Sequence, residues 1–179
     1  LRQEAELLGY TRDFTIYDTT DSKSVIKHIV KDMQLDEKQY KTNVVLSRIS
    51  LAKNHLQSPT AYSSNREFTM QDRFERIPEM SRIYMEYNRR LKACNAMDFD
   101  DLLFYTNTLF KKHEDVLRKY QDIFQYLLVD EYQDTNYSQY LIVKRLAEPQ
   151  NRICVVGDDA QSIYSFRGAN IENILTFQK

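Results

Sequence analysis

Two adjacent carboxylates, Asp130 and Glu131, follow the apolar run Leu127-Leu128-Val129. A short apolar run that ends in acids is typical of a buried parallel strand. Ligands of open α/β sheets bind beyond the carboxyl ends of the strands, so both acids are expected at a ligand-binding edge. There Asp130 is suited to hold Mg²⁺, and Glu131 to deprotonate an attacking water. The same two residues could instead only end a strand and cap the next helix.

A second polar segment, residues 157–169, follows another short apolar run, so we expect it at the same edge of the sheet. A neutral Gln161 in this position could sense a phosphate by hydrogen bonding. Tyr164 and Phe166 alternate and have Arg167 beside them, which suits base stacking and phosphate pairing on a single nucleic-acid strand. Alternatively, both aromatic side chains belong to a core and the arginine pairs with a nearby acid.

The elements that must position these residues are predicted to be mostly helical. Residues 1–97 show helical periodicity, apart from an extended piece near 14–17 and a loop-like segment at 57–66. From Asp98, which is expected to cap a helix, the pattern becomes helix, short helix (around 114–121), strand, helix, strand. A strand, a helix and a strand joined by short loops predict a parallel sheet. We therefore expect an α/β fold, mostly helical, with an all-α insert before a parallel α/β core.

Composition excludes several classes of protein. The 179 residues are 42% hydrophobic and 28% charged with a net charge of −1, which is typical of a globular domain and does not by itself indicate nucleic-acid binding. No apolar run approaches the roughly 18 residues of a membrane helix. The three glycines, Gly9, Gly157 and Gly168, cannot form a Walker A loop or a dinucleotide-binding fingerprint.

Two long motifs, in order and at a defined spacing, resemble a known family. DEYQDTN at residues 130–136 and, 21 residues later, GDDAQSIYSFRGA at 157–169 are similar to motifs II and III of the UvrD/Rep/PcrA helicases of superfamily 1. MDFDDLL at 97–103 resembles the acidic helix start that precedes motif II. AKN at 52–54 and YTRDFTIYD at 10–18 resemble the family's helical insert and the entry into it. The resemblance therefore covers nearly the whole chain.

The resemblance implies a role for individual residues. Asp130 would coordinate Mg²⁺ as part of the ATP site, and Glu131 would activate water for ATP hydrolysis. Gln161 would contact the γ-phosphate and report its loss to the DNA-binding side. A further group, which would contact single-stranded DNA, comprises Tyr164, Phe166 and Arg167.

The resemblance also implies a domain layout. Residues 15–96 would form the helical 1B subdomain, residues 97–179 part of the RecA-like 1A core with Walker B and motif III, and residues 1–14 a stub of 1A. The Walker A loop is expected upstream of Leu1 and the second RecA-like domain downstream of Lys179, both as partners within one polypeptide. We therefore expect a fragment that does not hydrolyse ATP alone.

For the full-length parent, the resemblance implies an ATP-dependent and Mg²⁺-dependent DNA helicase. It would move 3′→5′ on single-stranded DNA, act at junctions of single- and double-stranded DNA, and work in a bacterial cytoplasm at the nucleoid, away from membranes. Two alternatives stay open at this point. The parent could be the helicase arm of a recombination helicase–nuclease, or the chain could be an ATP-independent DNA-binding module.

The remaining chemically distinctive residues are expected to have structural roles. Cys94 and Cys154 are predicted to be small buried hydrophobic residues. Aromatic residues that cluster by sequence are predicted to form the helical core: Tyr62, Phe68, Phe74, Tyr84 and Tyr87. Basic residues of the helical part are expected on a solvated face, with duplex phosphates as an alternative partner: Arg48, Lys53, Arg66, Arg73 and Arg76.

Overall fold

The computed structural model describes residues 1–148 and 150–158. The described residues are mostly helical and contain two small parallel sheets, so the expected α/β character with a helical majority is confirmed. The chain divides into two compact units, the first spanning Leu1–Leu102 and the second beginning at Leu103. The division falls within one helix, Phe99–Lys112.

The first unit consists of short strands and five helices that precede the dividing helix. After a 3₁₀ helix, Arg2–Leu8, its elements are β1 (Thr15–Tyr17), α1 (Thr19–Asp32), α2 (Thr42–Asn54), α3 (Pro59–Ser64), α4 (Arg66–Phe74), α5 (Met80–Ala93) and β2 (Ala96–Asp98). Helix α5 packs against α1 and α3, and α1 packs against α2. The core between them is formed by apolar side chains that recur at helical spacing, including Ile26, Ile29, Val45, Ile49, Ile83, Tyr84 and Leu91.

The predicted loop at residues 57–66 is wrong, because the structure has two helices there. Ser58 begins α3 by accepting a hydrogen bond from the backbone N–H of Ala61 at 3.1 Å, and Pro59 occupies the first helical turn. The Asn65 side chain accepts the backbone N–H of Glu67 at 2.9 Å and so begins α4. Serine, asparagine and proline favour loops, but they are equally the residues that begin helices.

The sequence pattern did not predict strand β2. Ala96, Met97 and Asp98 pair in parallel with Thr15, Ile16 and Tyr17 of β1. Three residues are too few to show an alternating pattern, and the partner strand lies far away in the sequence. The expected extended piece near residues 14–17 is confirmed as β1.

The second unit contains a parallel strand–helix–strand arrangement. This unit includes most of α6 (Phe99–Lys112). The elements that follow α6 are α7 (Glu114–Ile123), β3 (Leu127–Val129), α8 (Tyr137–Ala147) and β4 (Ile153–Val155). Leu127, Leu128 and Val129 pair in parallel with Ile153, Cys154 and Val155, respectively, as the pattern predicted. The two helices flanking this unit's core are joined by Asn107 of α6, whose side-chain amide donates to the backbone carbonyl of Ser138 in α8 at 2.9 Å.

Burial in this small sheet differs from the expectation of fully buried strands. Leu128 is 80% exposed, and Cys154, its partner in the register, is exposed as well. Paired residues of neighbouring strands lie on the same face, so one face of the two-stranded sheet is open. Cys94, which ends α5, is also exposed, so the predicted burial of both cysteines is wrong.

Most of the predicted aromatic core is confirmed, with Phe74 as the exception. Tyr62, Tyr84 and Tyr87 are buried, and Phe68 packs partly buried against the same core. Phe74 is 89% exposed because α4 turns Asp72, rather than its last residue, toward the interior.

No helix within residues 1–148 and 150–158 has both the length and the apolar character of a membrane span.

Candidate functional site

The carboxyl ends of β3 and β4 lie side by side at one edge of the small sheet. The backbone N–H of Val156 donates to the carbonyl of Val129 at 2.8 Å, and that of Tyr132 donates to the carbonyl of Val156 at 3.0 Å. These bonds continue the strand pairing beyond the last paired residues. Asp130 and Glu131, which follow β3, therefore lie at the same edge as Asp158, which follows β4.

Glu131 occupies a backbone conformation that is unusual for a residue with a side chain. Its φ of 51° and ψ of 41° are left-handed, and the 3₁₀ turn Tyr132–Asp134 follows at once. Such a conformation costs on the order of 1–2 kcal/mol and persists where the surrounding structure holds it. Here the Tyr132 side chain is 2% exposed and anchors the turn. A strained residue at a strand end marks this turn as a candidate functional site.

Asp130 provides one exposed carboxylate that fits a hard cation. Its Oδ1 accepts the backbone N–H of Glu131 at 2.9 Å, and its other oxygen has no partner among the described residues. Carboxylate oxygens are the ligands that Mg²⁺ prefers, and this ion commonly keeps most of its waters. In residues 1–148 and 150–158, no group of three or more His, Cys, Asp or Glu residues could hold a metal ion. The donor set thus fits one protein ligand to a largely hydrated Mg²⁺.

Gln133 is a buried polar residue to which the sequence pattern assigned no role. Its side chain is 1% exposed. Its amide nitrogen donates to Oε2 of Glu131 at 2.6 Å, and its amide oxygen accepts the backbone N–H of Asp158 at 3.1 Å. Gln133 therefore joins the side chain after β3 to the backbone after β4. Its position inside a motif was the only sequence signal that could have found it.

Four of the predicted site residues lie outside the described part of the chain. They are Gln161, Tyr164, Phe166 and Arg167. Of the predicted site, the structure therefore describes the two carboxylates, Asp130 and Glu131, together with residues 156–158, which follow β4.

Two basic residues that were expected on a solvated face, or on duplex phosphates, are buried in ion pairs. The Arg48 side chain is 7% exposed, with its Nε 3.2 Å from Asp72 and a terminal nitrogen 2.6 Å from Glu75. Lys53 is buried between Asp98 and Asp101. These two basic side chains hold helices together, so neither prediction applies to them. Arg66, Arg73 and Arg76 are exposed, as a solvated face requires.

Lys53 forms the centre of a buried cluster in the first unit. Its ammonium lies 2.6 Å from Oδ2 of Asp98 and 2.8 Å from Oδ1 of Asp101, and its side chain is 1% exposed. The Tyr87 hydroxyl donates to Oδ2 of Asp98 at 2.8 Å. Asp98 also begins α6, because its Oδ1 accepts the backbone N–H of Asp101 at 2.8 Å. The predicted helix cap at Asp98 is thus confirmed, and the same carboxylate also takes part in the ion pair with Lys53.

Burial and the neighbouring opposite charges shift the pKa values of Lys53, Asp98 and Asp101 in opposite directions. Burial disfavours the charged ammonium, but Asp101 and Asp98 outweigh it and raise the pKa of Lys53 well above its usual value. Burial likewise favours neutral Asp98, yet the ammonium lowers the pKa of this carboxyl. For Asp101 burial is the larger influence, and it raises the pKa to about 6. Lys53 is therefore held in its charged form by the two acids.

Comparison with known proteins places the whole chain in one family. Residues 1–179 match the family model described as the UvrD/REP helicase N-terminal domain. The chain is 45% identical over its full length to the ATP-dependent DNA helicase PcrA of Staphylococcus aureus, of which it covers 24%. It is 44% identical over its full length to the protein of the same name in Bacillus subtilis, covering 23% of it.

A third relative, again called ATP-dependent DNA helicase PcrA, comes from Leuconostoc citreum and is 42% identical over the full chain. The chain thus spans about a quarter of the length of these relatives. The two motifs that carried the resemblance lie within the matched range, and so does the strand end with its two carboxylates. This chain belongs to the family of UvrD/REP helicase N-terminal domains.

Proposed function

We propose that the chain is part of an ATP-dependent DNA helicase, a motor that couples ATP hydrolysis to movement on single-stranded DNA. The observation that carries the proposal is the strand end after β3, where Asp130 and Glu131 lie beside the chain that follows β4. The names of the three relatives, each an ATP-dependent DNA helicase, support it. The direction of movement proposed from the motif resemblance is 3′→5′.

Each carboxylate has a distinct task in this proposal. Asp130, with an oxygen that no described residue occupies, would hold the cation. Bound Mg²⁺ would neutralise charge on the phosphates of the nucleotide. Glu131 orients a water molecule and accepts its proton. The left-handed turn at Glu131 fixes where that proton acceptor lies relative to Asp130.

The remaining contacts with the nucleotide and with DNA are assigned to residues beyond Asp158. Gln161 is proposed to contact the γ-phosphate. A group proposed to stack on and pair with single-stranded DNA consists of Tyr164, Phe166 and Arg167.

We assign residues 15–96 to the 1B subdomain and 97–179 to the 1A core, with residues 1–14 as its stub. The remaining three quarters of the polypeptide would supply the Walker A loop and the second RecA-like domain, and junctions of single- and double-stranded DNA would be the substrate.

The test is ATP hydrolysis by the full-length protein, with and without single-stranded DNA. Replacing Glu131 with glutamine keeps the shape of the side chain and removes the proton acceptor. We expect Glu131→Gln to lower the DNA-stimulated turnover about 100- to 10,000-fold. Binding of single-stranded DNA should persist, because the replaced group does not belong to the proposed DNA contacts.

Glu148→Gln is the matched control, since Glu148 is an exposed acid at the end of α8 in the same unit. It should leave turnover unchanged. The 179-residue chain alone should not hydrolyse ATP, because its three glycines cannot form a Walker A loop. A full-length protein that binds DNA but never hydrolyses ATP would overturn the motor and leave a DNA-binding module in its place.

A further inference from the structure

The side chain of Gln133 bridges two loops that the proposed reaction requires to act together. Both of its hydrogen bonds use groups after a strand end: the carboxylate of Glu131 after β3 and the backbone N–H of Asp158 after β4. The Gln133 side chain is 1% exposed, whereas its two partners lie at the surface, so both hydrogen bonds are partly buried. A hydrogen bond to a charged group is among the stronger ones that proteins form.

Only a primary amide fits this bridge. One end of the side chain must donate, because it meets a carboxylate, and the other must accept, because it meets a backbone N–H. The reverse orientation of the amide would set oxygen against oxygen and N–H against N–H, so the assignment of the two ends is unambiguous. A methionine of similar size could satisfy neither partner, and a glutamate could satisfy only the N–H.

We propose that Gln133 is a positioning residue, which fixes the carboxylate of Glu131 relative to the start of the loop that follows β4. The inference rests on the proposed function, because it assigns Glu131 the task of accepting a proton. A carboxylate on an exposed residue has several rotamers, and a single buried donor selects one of them. The left-handed backbone of Glu131 restricts the same side chain from its other end. In this proposal Gln133 acts on the reaction only through Glu131.

The experiment measures kcat and KM for ATP in the full-length protein, with saturating single-stranded DNA. We expect Gln133→Met to lower kcat about 10- to 100-fold, since loss of a supporting contact or a shift of about 1 Å has effects of this size. KM for ATP and the affinity for DNA should change little. Gln133→Glu should lower kcat further, because it keeps the bond to Asp158 but adds a negative charge beside Glu131.

A double-mutant cycle separates positioning from independent catalysis. If Gln133 acts through Glu131, then adding Gln133→Met to Glu131→Gln should cost no further activity. The residual rates are measured in single-turnover reactions. Losses that multiply in the double variant would overturn the proposal, and so would a Gln133→Met variant with the wild-type kcat.

Gln121→Met is the matched control for a purely structural effect. Gln121 is also a partly buried bridging amide of this unit, and it donates to the backbone carbonyl of Arg145 at 2.7 Å. It should lower the melting temperature without changing kcat. If Gln133→Met fails to fold, the cycle is run with Gln133→Glu. A wild-type protein without ATPase activity would instead refute the proposed function, which keeps the two failures distinct.

Discussion

Replacing Lys53 with methionine should destabilise the first unit by about 3–5 kcal/mol at neutral pH. The Lys53 side chain is 1% exposed, and its ammonium is within 3 Å of both Asp98 and Asp101. Methionine fills a similar volume, so the destabilisation is mainly electrostatic and does not arise from a cavity. Two carboxylates would remain in the interior without a compensating positive charge, and breaking a buried pair in this way is costly.

The destabilisation caused by Lys53→Met should depend on pH, because the two acids beside Lys53 have shifted pKa values. In the wild type the pKa of Asp98 is lowered, so its contribution to stability is present above its unfolded-state pKa and is lost as the pH falls. Asp101 has the opposite sign: its pKa is raised to about 6, so its contribution is full at low pH and is lost as the pH rises through 6.

Without the ammonium of Lys53, Asp98 loses the influence that lowers its pKa, so both acids should favour the neutral form in the folded state. The deficit of Lys53→Met relative to the wild type should therefore shrink between about pH 7 and about pH 4. The double variant Lys53→Met/Asp101→Asn should recover part of the loss at neutral pH, because it leaves one buried carboxylate in place of two.

Urea unfolding followed by helical circular dichroism measures these differences, with Lys27→Met as the matched control. Lys27 is exposed on α1, so its replacement should change the free energy of unfolding by less than about 0.5 kcal/mol. A deficit for Lys53→Met below about 1 kcal/mol, or one that is equal at both pH values, would refute the reasoning from buried charge.

Two further predictions concern residues whose burial differs from the sequence expectation. Phe74 is 89% exposed, so Phe74→Ser should change the free energy of unfolding by less than about 0.5 kcal/mol, whereas a core phenylalanine would cost several kcal/mol; urea unfolding decides between them. Cys94 and Cys154 are both exposed, so a thiol reagent should label both in the native chain at nearly the rate seen in denaturant. Protection of either cysteine in the native chain would contradict its exposed position.

The elements that could be predicted from the sequence are those whose signal is local. Asp98 followed three residues later by Asp101 is a capping pattern, and the structure shows both bonds of it. The strand Leu127–Val129 was recognisable as an apolar run ending in acids. The helices between residues 58 and 74 were not predicted, because the residues that begin helices also favour loops.

What could not be predicted depends on contacts between segments distant in sequence. Lys53 looks like any other lysine of an amphipathic helix until Asp98 and Asp101 are placed around it. The role of Gln133 likewise depends on where Asp158 lies, which is set by the pairing of β3 and β4. The two carboxylates of the candidate site were predictable because a strand end is a local feature, whereas the residue that orients one of them was not.

The turn at Glu131 links these observations to the chemistry. A left-handed conformation at a non-glycine residue costs on the order of 1–2 kcal/mol. The turn is held by the Tyr132 N–H on the carbonyl of Val156, by the Asp134 N–H on the carbonyl of Glu131, and by the Gln133 side chain. Glycine would adopt this backbone without strain, but it has no carboxylate to accept a proton. Other non-glycine residues, such as Gln34 and Leu56, share this backbone conformation without a proposed reactive role, so the conformation alone does not assign the chemistry. In the proposed motor the position must carry a carboxylate, so glycine could not replace Glu131 there.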